Sequence, residues 1–174
     1  MLNAIELLTK QHREAQGMIE RLTGDATMSD EERRALFEEL KEALKLHTKI
    51  EEEVFYPALE DFDETRAIID ESYREHERVD RLLRRMGRTE EGAAGERDRE
   101  TAGAATDWRA LLGELRDAVA HHVGEEENDL FPRAARLLTP ESLRDMGYEM
   151  RRYKTGQSEE DQLIYPASRV GPGA

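Results

Sequence analysis

Cysteine is absent from this 174-residue chain. Its absence excludes disulfides, thiolate metal sites, iron–sulfur clusters and thiol catalysis. Any metal must then be held by His and carboxylate. Long apolar runs are missing as well. No stretch approaches 18 apolar residues, so no transmembrane helix is expected. The N-terminal MLNAIELLTKQHREAQ turns polar within ten residues, which does not suit a secretory signal, and the expected location is cytoplasmic. Basic charge is scarce: 26 Lys and Arg stand against 40 Asp and Glu, for a formal net charge of −14. Phosphate backbones and anionic membranes require a basic surface, so neither nucleic acid nor membrane is an expected partner. Nothing resembles a nucleophilic triad, a P-loop or a dinucleotide fingerprint.

What the chain does contain is a helical message written twice. Residues 47–57 read HTKIEEEVFYP and residues 122–132 read HVGEEENDLFP. His47 and Glu51 recur as His122 and Glu126, each 75 positions on, and each pair is followed by Pro. Residues four apart share a helix face, so each copy aims an imidazole and a carboxylate at the same space. The repeat extends further. Leu40 and Leu44 match Leu115 and Val119 at the same shift. Ile5, His12, Ala15, Ile19 and Leu22 match Ile69, His76, Val79, Leu83 and Met86 at a shift of 64.

Charged residues make up 38% and hydrophobic residues 37% of the chain, rich in Glu, Arg, Leu and Ala. This composition predicts amphipathic helices rather than strands. A first helix opens at Asn3, with Glu6 completing a capping box, and runs to about Leu22. A second opens at Ser29 with Glu32 and reaches Pro57, which ends or kinks it. A third covers roughly 64–86. Residues 87–105, with four Gly and no large apolar residue, are expected to form a linker, partly helical at its charged end. A fourth starts near Thr106 or Asp107 and closes at Pro132, and Thr139-Pro140 opens a short fifth. The expected fold is all-α: an antiparallel up-down four-helix bundle over residues 1–138, built from two hairpins with pseudo-twofold symmetry. Residues 139–174 add a short helix and an extended tail, and the segment 146–166 is expected to cover a bundle edge or dock a partner.

The His and Glu residues interrupt the apolar seams. His122 and Glu126 lie in line with Leu115, Val119 and Leu130, and His12 and His76 lie on the inward faces of their helices. Two facing buried carboxylates are costly as anions unless paired or metal-bound. Four His and two Glu, one set per half, suit a two-metal site: His12, His47, Glu51, His76, His122 and Glu126. Each ion takes two His and shares both Glu, which leaves coordination positions open.

On these residues, over roughly 3–135, the chain resembles the hemerythrin family, specifically bacterial proteins with HHE cation-binding domains. The resemblance implies two Fe ions in an oxo- or hydroxo-bridged centre that binds or reacts with O2, NO or peroxide. It implies His12 and His47 on one iron, His76 and His122 on the other, and Glu51 and Glu126 between them. Zn or Mn are alternative ions. Two departures stand out. Oxygen-carrying hemerythrins place a second His four residues after the one on helix three, where this chain has Asp80. They also use a His-x-x-x-x-Asp spacing on helix four, where this chain has His-x-x-x-Glu. Asp80 either completes one iron's shell or faces solvent.

The remaining polar residues carry blander expectations. Glu52, Glu53, Glu125 and Glu127 form a solvated face, some of them hydrogen-bonding the ligand imidazoles. His121 supports the site from outside or is exposed. Tyr73, Tyr56, Phe55, Phe131, Leu130 and Trp108 are expected to pack. Three functions compete: a di-iron protein that senses, stores or detoxifies its small ligand; a catalase-like or other redox enzyme at the same centre; and a non-redox bundle, with zinc or no metal, that binds a protein partner.

Overall fold

The structure, a computed structural model, describes residues 2–93 and 100–155, and side chains within 2–88 and 107–153. Six α-helices follow in order: α1 Ala4–Gly24, α2 Asp30–Ile50, α3 Asp63–Ala93, α4 Glu100–Glu125, α5 Phe131–Leu137 and α6 Pro140–Thr155. No strand occurs among the described residues. Both expected capping boxes form. The Asn3 side chain accepts from the Glu6 N–H at 3.0 Å, while the Asn3 N–H donates to the Glu6 carboxylate at 2.9 Å. Ser29 and Glu32 make the same reciprocal pair. Each box satisfies two N–H groups that a helix start leaves unpaired.

α1 packs on α2, α3 on α4, α1 on α4, and α2 on α3, which closes the four-helix ring. Its interior holds two apolar clusters. One gathers Ile19, Leu36, Phe37, Leu40, Leu83, Met86, Trp108 and Leu115. The other gathers Leu8, Ile50, Phe55, Tyr56, Ile69, Leu130, Phe131 and Met150. The four repeated histidines lie between them along every helix. His12 follows Leu8 of one cluster and precedes Ala15 of the other; His47 falls between Leu44 and Ile50.

Three boundaries differ from those expected. α3 continues through Gly87 to Ala93, and α4 begins at Glu100, so 87–93 and 100–105 are helical; residues 94–99 lie outside the described segments. Gly87 and Gly92 cost the helix about 1 kcal/mol each, and Arg88, Glu90, Glu91 and Ala93 are sound helix formers that offset part of this. Pro132 does not close the fourth helix. A five-residue π turn, Glu126–Leu130, carries the chain past it into α5, and a matching π turn, Glu51–Phe55, follows α2 and leads into the 3-10 turn Tyr56–Ala58. α6 lies against α1 and α2. Of the segment 146–166, expected to cover an edge or dock a partner, the part up to Thr155 belongs to α6 and so lies on α1 and α2; the part beyond Thr155 lies outside the described residues.

Candidate metal centre

Both π turns begin at a repeated Glu. The Tyr56 N–H bonds to the Glu51 carbonyl, and the Phe131 N–H bonds to the Glu126 carbonyl, five residues back in each case. The cause is written in the sequence. Pro57 and Pro132 stand six residues after these Glu residues, lack an N–H, and would clash with the carbonyl four residues earlier, at Glu53 and Asn128. Widening the turn by one residue relieves that clash. Such π turns recur at functional sites.

All six expected ligands point into one pocket. Glu51 and Glu126 are fully buried, and His12, His47, His76 and His122 are nearly so. Nε2 of His12 lies 3.2 Å from Nε2 of His47 and 3.2 Å from Glu126 Oε2. Glu51 divides its oxygens: Oε1 faces His47 Nε2 at 3.2 Å, and Oε2 faces His76 Nε2 at 3.2 Å and His122 Nε2 at 3.7 Å. His122 Nε2 is also 3.7 Å from Glu126 Oε2.

The outward nitrogens obey the repeat as closely. His12 Nδ1 bonds to Glu127 Oε1 at 3.0 Å, and His76 Nδ1 to Glu52 Oε1 at 2.8 Å. His47 Nδ1 bonds to Gln11 Oε1 at 3.1 Å, and His122 Nδ1 to Glu75 Oε2 at 3.1 Å. Every one of these partners is an acceptor, so each Nδ1 carries the proton and each Nε2 turns inward with its basic nitrogen. Glu52 and Glu127 therefore serve the imidazoles rather than only the solvated face. Gln11 and Glu75 were missed from the sequence. The 64-residue shift relates them, one position before each lone His, but that shift alone does not reveal their contacts.

Tyr56 also departs from expectation. Its ring stacks on His76 at 5.8 Å, and its hydroxyl donates to Glu126 Oε1 at 2.9 Å. The hydroxyl also lies 3.4 Å from His76 Nε2 and 3.5 Å from Glu51 Oε2. Phe131, its counterpart in the repeat, stacks on His12 at 5.6 Å without a hydroxyl. Tyr73 does pack, its ring 5.4 Å from Tyr56 and its hydroxyl donating to Glu60 at the surface. Asp80 faces solvent, paired with Arg84.

The electrostatics show how crowded the pocket is. Burial pushes Glu126 up, and the nearby Glu51 charge reinforces this, to about 7. Burial also opposes the charge of Glu51, but His47, His122 and His76 outweigh it and hold this carboxyl well below its ordinary value. Burial pulls His47 down to about 3. It acts the same way on His12, His76 and His122, yet the adjacent carboxylates prevail and leave all three raised. Burial and the charges of Glu51 and Glu126 push the Tyr56 phenol well above its usual range.

A metal fits this donor set. Glu51 Oε1, His122 Nε2 and Glu126 Oε2 are buried without a hydrogen-bond partner. One ligand atom from each of His12, His47, Glu51, His122 and Glu126 falls within 4.8 Å of the others. Orphaned buried polar atoms are expensive, and their convergence here is what a cation would relieve.

Residues 3–134 match the family model described as the Hemerythrin HHE cation binding domain. The chain belongs to that family. An uncharacterised protein of Mycobacterium bovis is 28% identical over 150 residues, which span 86% of this chain and 83% of that protein. An uncharacterised protein of Mycobacterium tuberculosis strain H37Rv, Rv2633c, matches to the same extent. The crystal structure of a hemerythrin HHE cation-binding domain-containing protein from Mycobacterium kansasii, an Rv2633c homologue, superimposes with a TM-score of 0.67. It shares 24% identity, with 97% of this chain and 96% of that one covered, and so attests the hemerythrin-like fold. Family and buried His/Glu cluster together identify a metal-binding bundle. No helix among the described residues is long and apolar enough to cross a membrane.

Proposed function

We propose that this hemerythrin-family chain is a non-haem di-iron protein that binds or reacts with O2, NO or peroxide. The observation that carries the reading is the split of Glu51. One of its oxygens faces His47 and the other faces His76 and His122, so a single carboxylate addresses both halves of the pocket. His12 and His47 would hold one ion, His76 and His122 the other, with Glu51 and Glu126 between them. Iron, when bound, supplies Lewis acidity and one electron per ion for exchange with a small ligand. The chain's own work is to fix four imidazoles through their Nδ1 bonds and to keep bulk water out with Phe55, Leu130 and Phe131, all buried. Iron rather than zinc rests on the family, since His and carboxylate accept either.

The test is iron analysis with a visible spectrum, followed by separate exposure of the anaerobically reduced protein to O2, NO and peroxide. About two irons per chain and a spectral response to one of the three are expected. A colourless protein that takes up only zinc overturns the reading. One observation favours turnover of peroxide over reversible carriage: the Tyr56 hydroxyl, a proton donor held at the site. This second reading predicts sustained O2 release from added peroxide, slowed in Tyr56→Phe; bleaching without turnover would reject it.

A further inference from the structure

Helix α4 carries a second His-x-x-x-Glu pair, His121 and Glu125, one residue ahead of His122 and Glu126. A step of one residue turns about 100° round the helix, so the two pairs face different ways. His122 and Glu126 look inward. The His121 side chain is 62% exposed and that of Glu125 is 35% exposed. Between the two directions stands Glu75 of α3. Its Oε2 accepts from His122 Nδ1, while its Oε1 lies 3.3 Å from His121 Nε2. That Oε1 has no hydrogen-bond partner, although the Glu75 side chain is only 9% exposed. His121 Nε2 is 3.7 Å from Glu125 Oε1, and one ligand atom from each of the three falls within 4.8 Å of the others.

The internal repeat supplies a control. The positions equivalent to Glu75, His121 and Glu125 in the first half are Gln11, Leu46 and Ile50. None of these is a customary metal ligand, and Leu46 and Ile50 join the apolar cluster that also contains Leu143, Met146 and Met150 of α6. In the first half α6 covers that face, whereas the matching face of α4 is open and leaves His121 and Glu125 accessible beside Glu75.

We propose that Glu75, His121 and Glu125 form a separate surface site for a divalent transition-metal ion, from which ferrous iron passes to the buried centre. One imidazole and two carboxylates suit Fe2+, Mn2+ or Zn2+, and the two negative charges match a dication. Three protein ligands at an exposed position leave the remaining coordination to water, as an exchangeable site requires. The shared Glu75 ties this site to His122, and a net charge of −14 draws cations toward the surface. The delivery role rests on the buried site being an iron centre; the surface site itself does not.

The first experiment titrates Co2+ into protein whose buried centre has already been filled with iron, followed by its visible bands and by equilibrium dialysis. About one further ion per chain is expected in the wild type, with Kd raised about tenfold or more in His121→Ala, the range typical of lost metal-site partners. No such ion is expected in His121→Leu/Glu125→Ile, which installs the residues of the first half. Absence of an additional ion in the wild type, or unchanged Co2+ binding in the double variant, overturns the surface site. The second experiment follows Fe2+ uptake by metal-depleted protein. Uptake is expected to slow about tenfold in the double variant while final buried iron content is unchanged; an equal rate overturns delivery. A wild type that takes up no buried iron but still gains the His121-dependent Co2+ would reject the di-iron reading and keep the surface site.

Discussion

Tyr56 and Phe131 occupy the same place in the two halves, and the difference between them is one hydroxyl. Each stacks on a candidate ligand His, but only Tyr56 reaches a carboxylate, donating to Glu126 Oε1 at 2.9 Å. Tyr56→Phe should fold, because the bundle already accepts Phe at position 131. Without a metal, the change leaves a buried carboxylate oxygen lacking its donor, a loss of about 1–3 kcal/mol. With metal bound, the ions neutralise Glu126 and the loss should shrink below about 1 kcal/mol. Denaturant melts of metal-free and loaded Tyr56→Phe check this; equal losses in both would show that the hydroxyl serves packing alone. The same crowding predicts a pH dependence. Binding an ion requires neutral imidazoles and ionised carboxyls. His12, His76 and His122 are raised by their carboxylate neighbours, and Glu126 stands at about 7. As pH falls through 7, protons therefore compete for the site. Apparent metal affinity should drop about tenfold per pH unit for every proton displaced, which titrations between pH 6 and 8 would measure. A flat profile would contradict the assignment.

At the scale of the element, the π turns link proline chemistry to the placement of the two buried Glu residues. Replacing both Pro57 and Pro132 with Ala removes the ring clash and restores two N–H donors, so the regular α register becomes available. The substitution should weaken metal binding about tenfold without unfolding the protein, because the carboxylates lose their imposed aim. Metal titration of Pro57→Ala/Pro132→Ala, with helicity as control, measures it, and wild-type affinity would mean that the turns form for another reason. The six candidate ligands could be read because a strict 75- and 64-residue repeat places His and Glu on apolar seams. The π turns could not, since a Pro after a helical run is equally compatible with an end, a kink or a widened turn, and only the backbone shows which. Gln11 and Glu75 escaped for a different reason. Their role depends on which helices become neighbours, and that is decided by packing rather than by local pattern. Gly147 illustrates the same limit. It stands in α6, and a Cβ there would come within 2.7 Å of the Leu2 carbonyl oxygen and the Asn3 carbonyl carbon. Nothing in its neighbourhood of the sequence announces that approach. Gly147→Ala should cost about 1–3 kcal/mol by forcing α6 off the start of α1, visible as a lower Tm with metal affinity retained.

Across the whole molecule, the candidate metal-binding layer lies between two apolar clusters, one drawing on α1, α2, α3 and α4 and the other on α1, α2, α3, α5 and α6. Between the clusters lies a slab holding two buried carboxylates and four imidazoles. Without ions, that slab carries unpaired polar atoms at Glu51, His122 and Glu126. With ions, it becomes the tie between the two ends. A ligand that binds only the folded state adds about 2.7 kcal/mol at a hundredfold excess over its Kd. For a chain of this size each kcal/mol moves Tm by about 2–4 °C, so one ion at that excess raises it by about 5–10 °C. Amide exchange should locate the effect. Removing the metal ought to speed exchange most around His12, His47, His76 and His122, and least in the centre of each cluster, because the slab loses its cross-links while the apolar contacts remain. In the His121→Leu/Glu125→Ile background, Glu126→Ala should abolish the metal-dependent rise in Tm. If iron-loaded and metal-free proteins melt within about 1 °C of each other at a hundredfold excess of metal, the buried residues do not bind the ion in the folded state, and the layer is a hydrogen-bonded core instead.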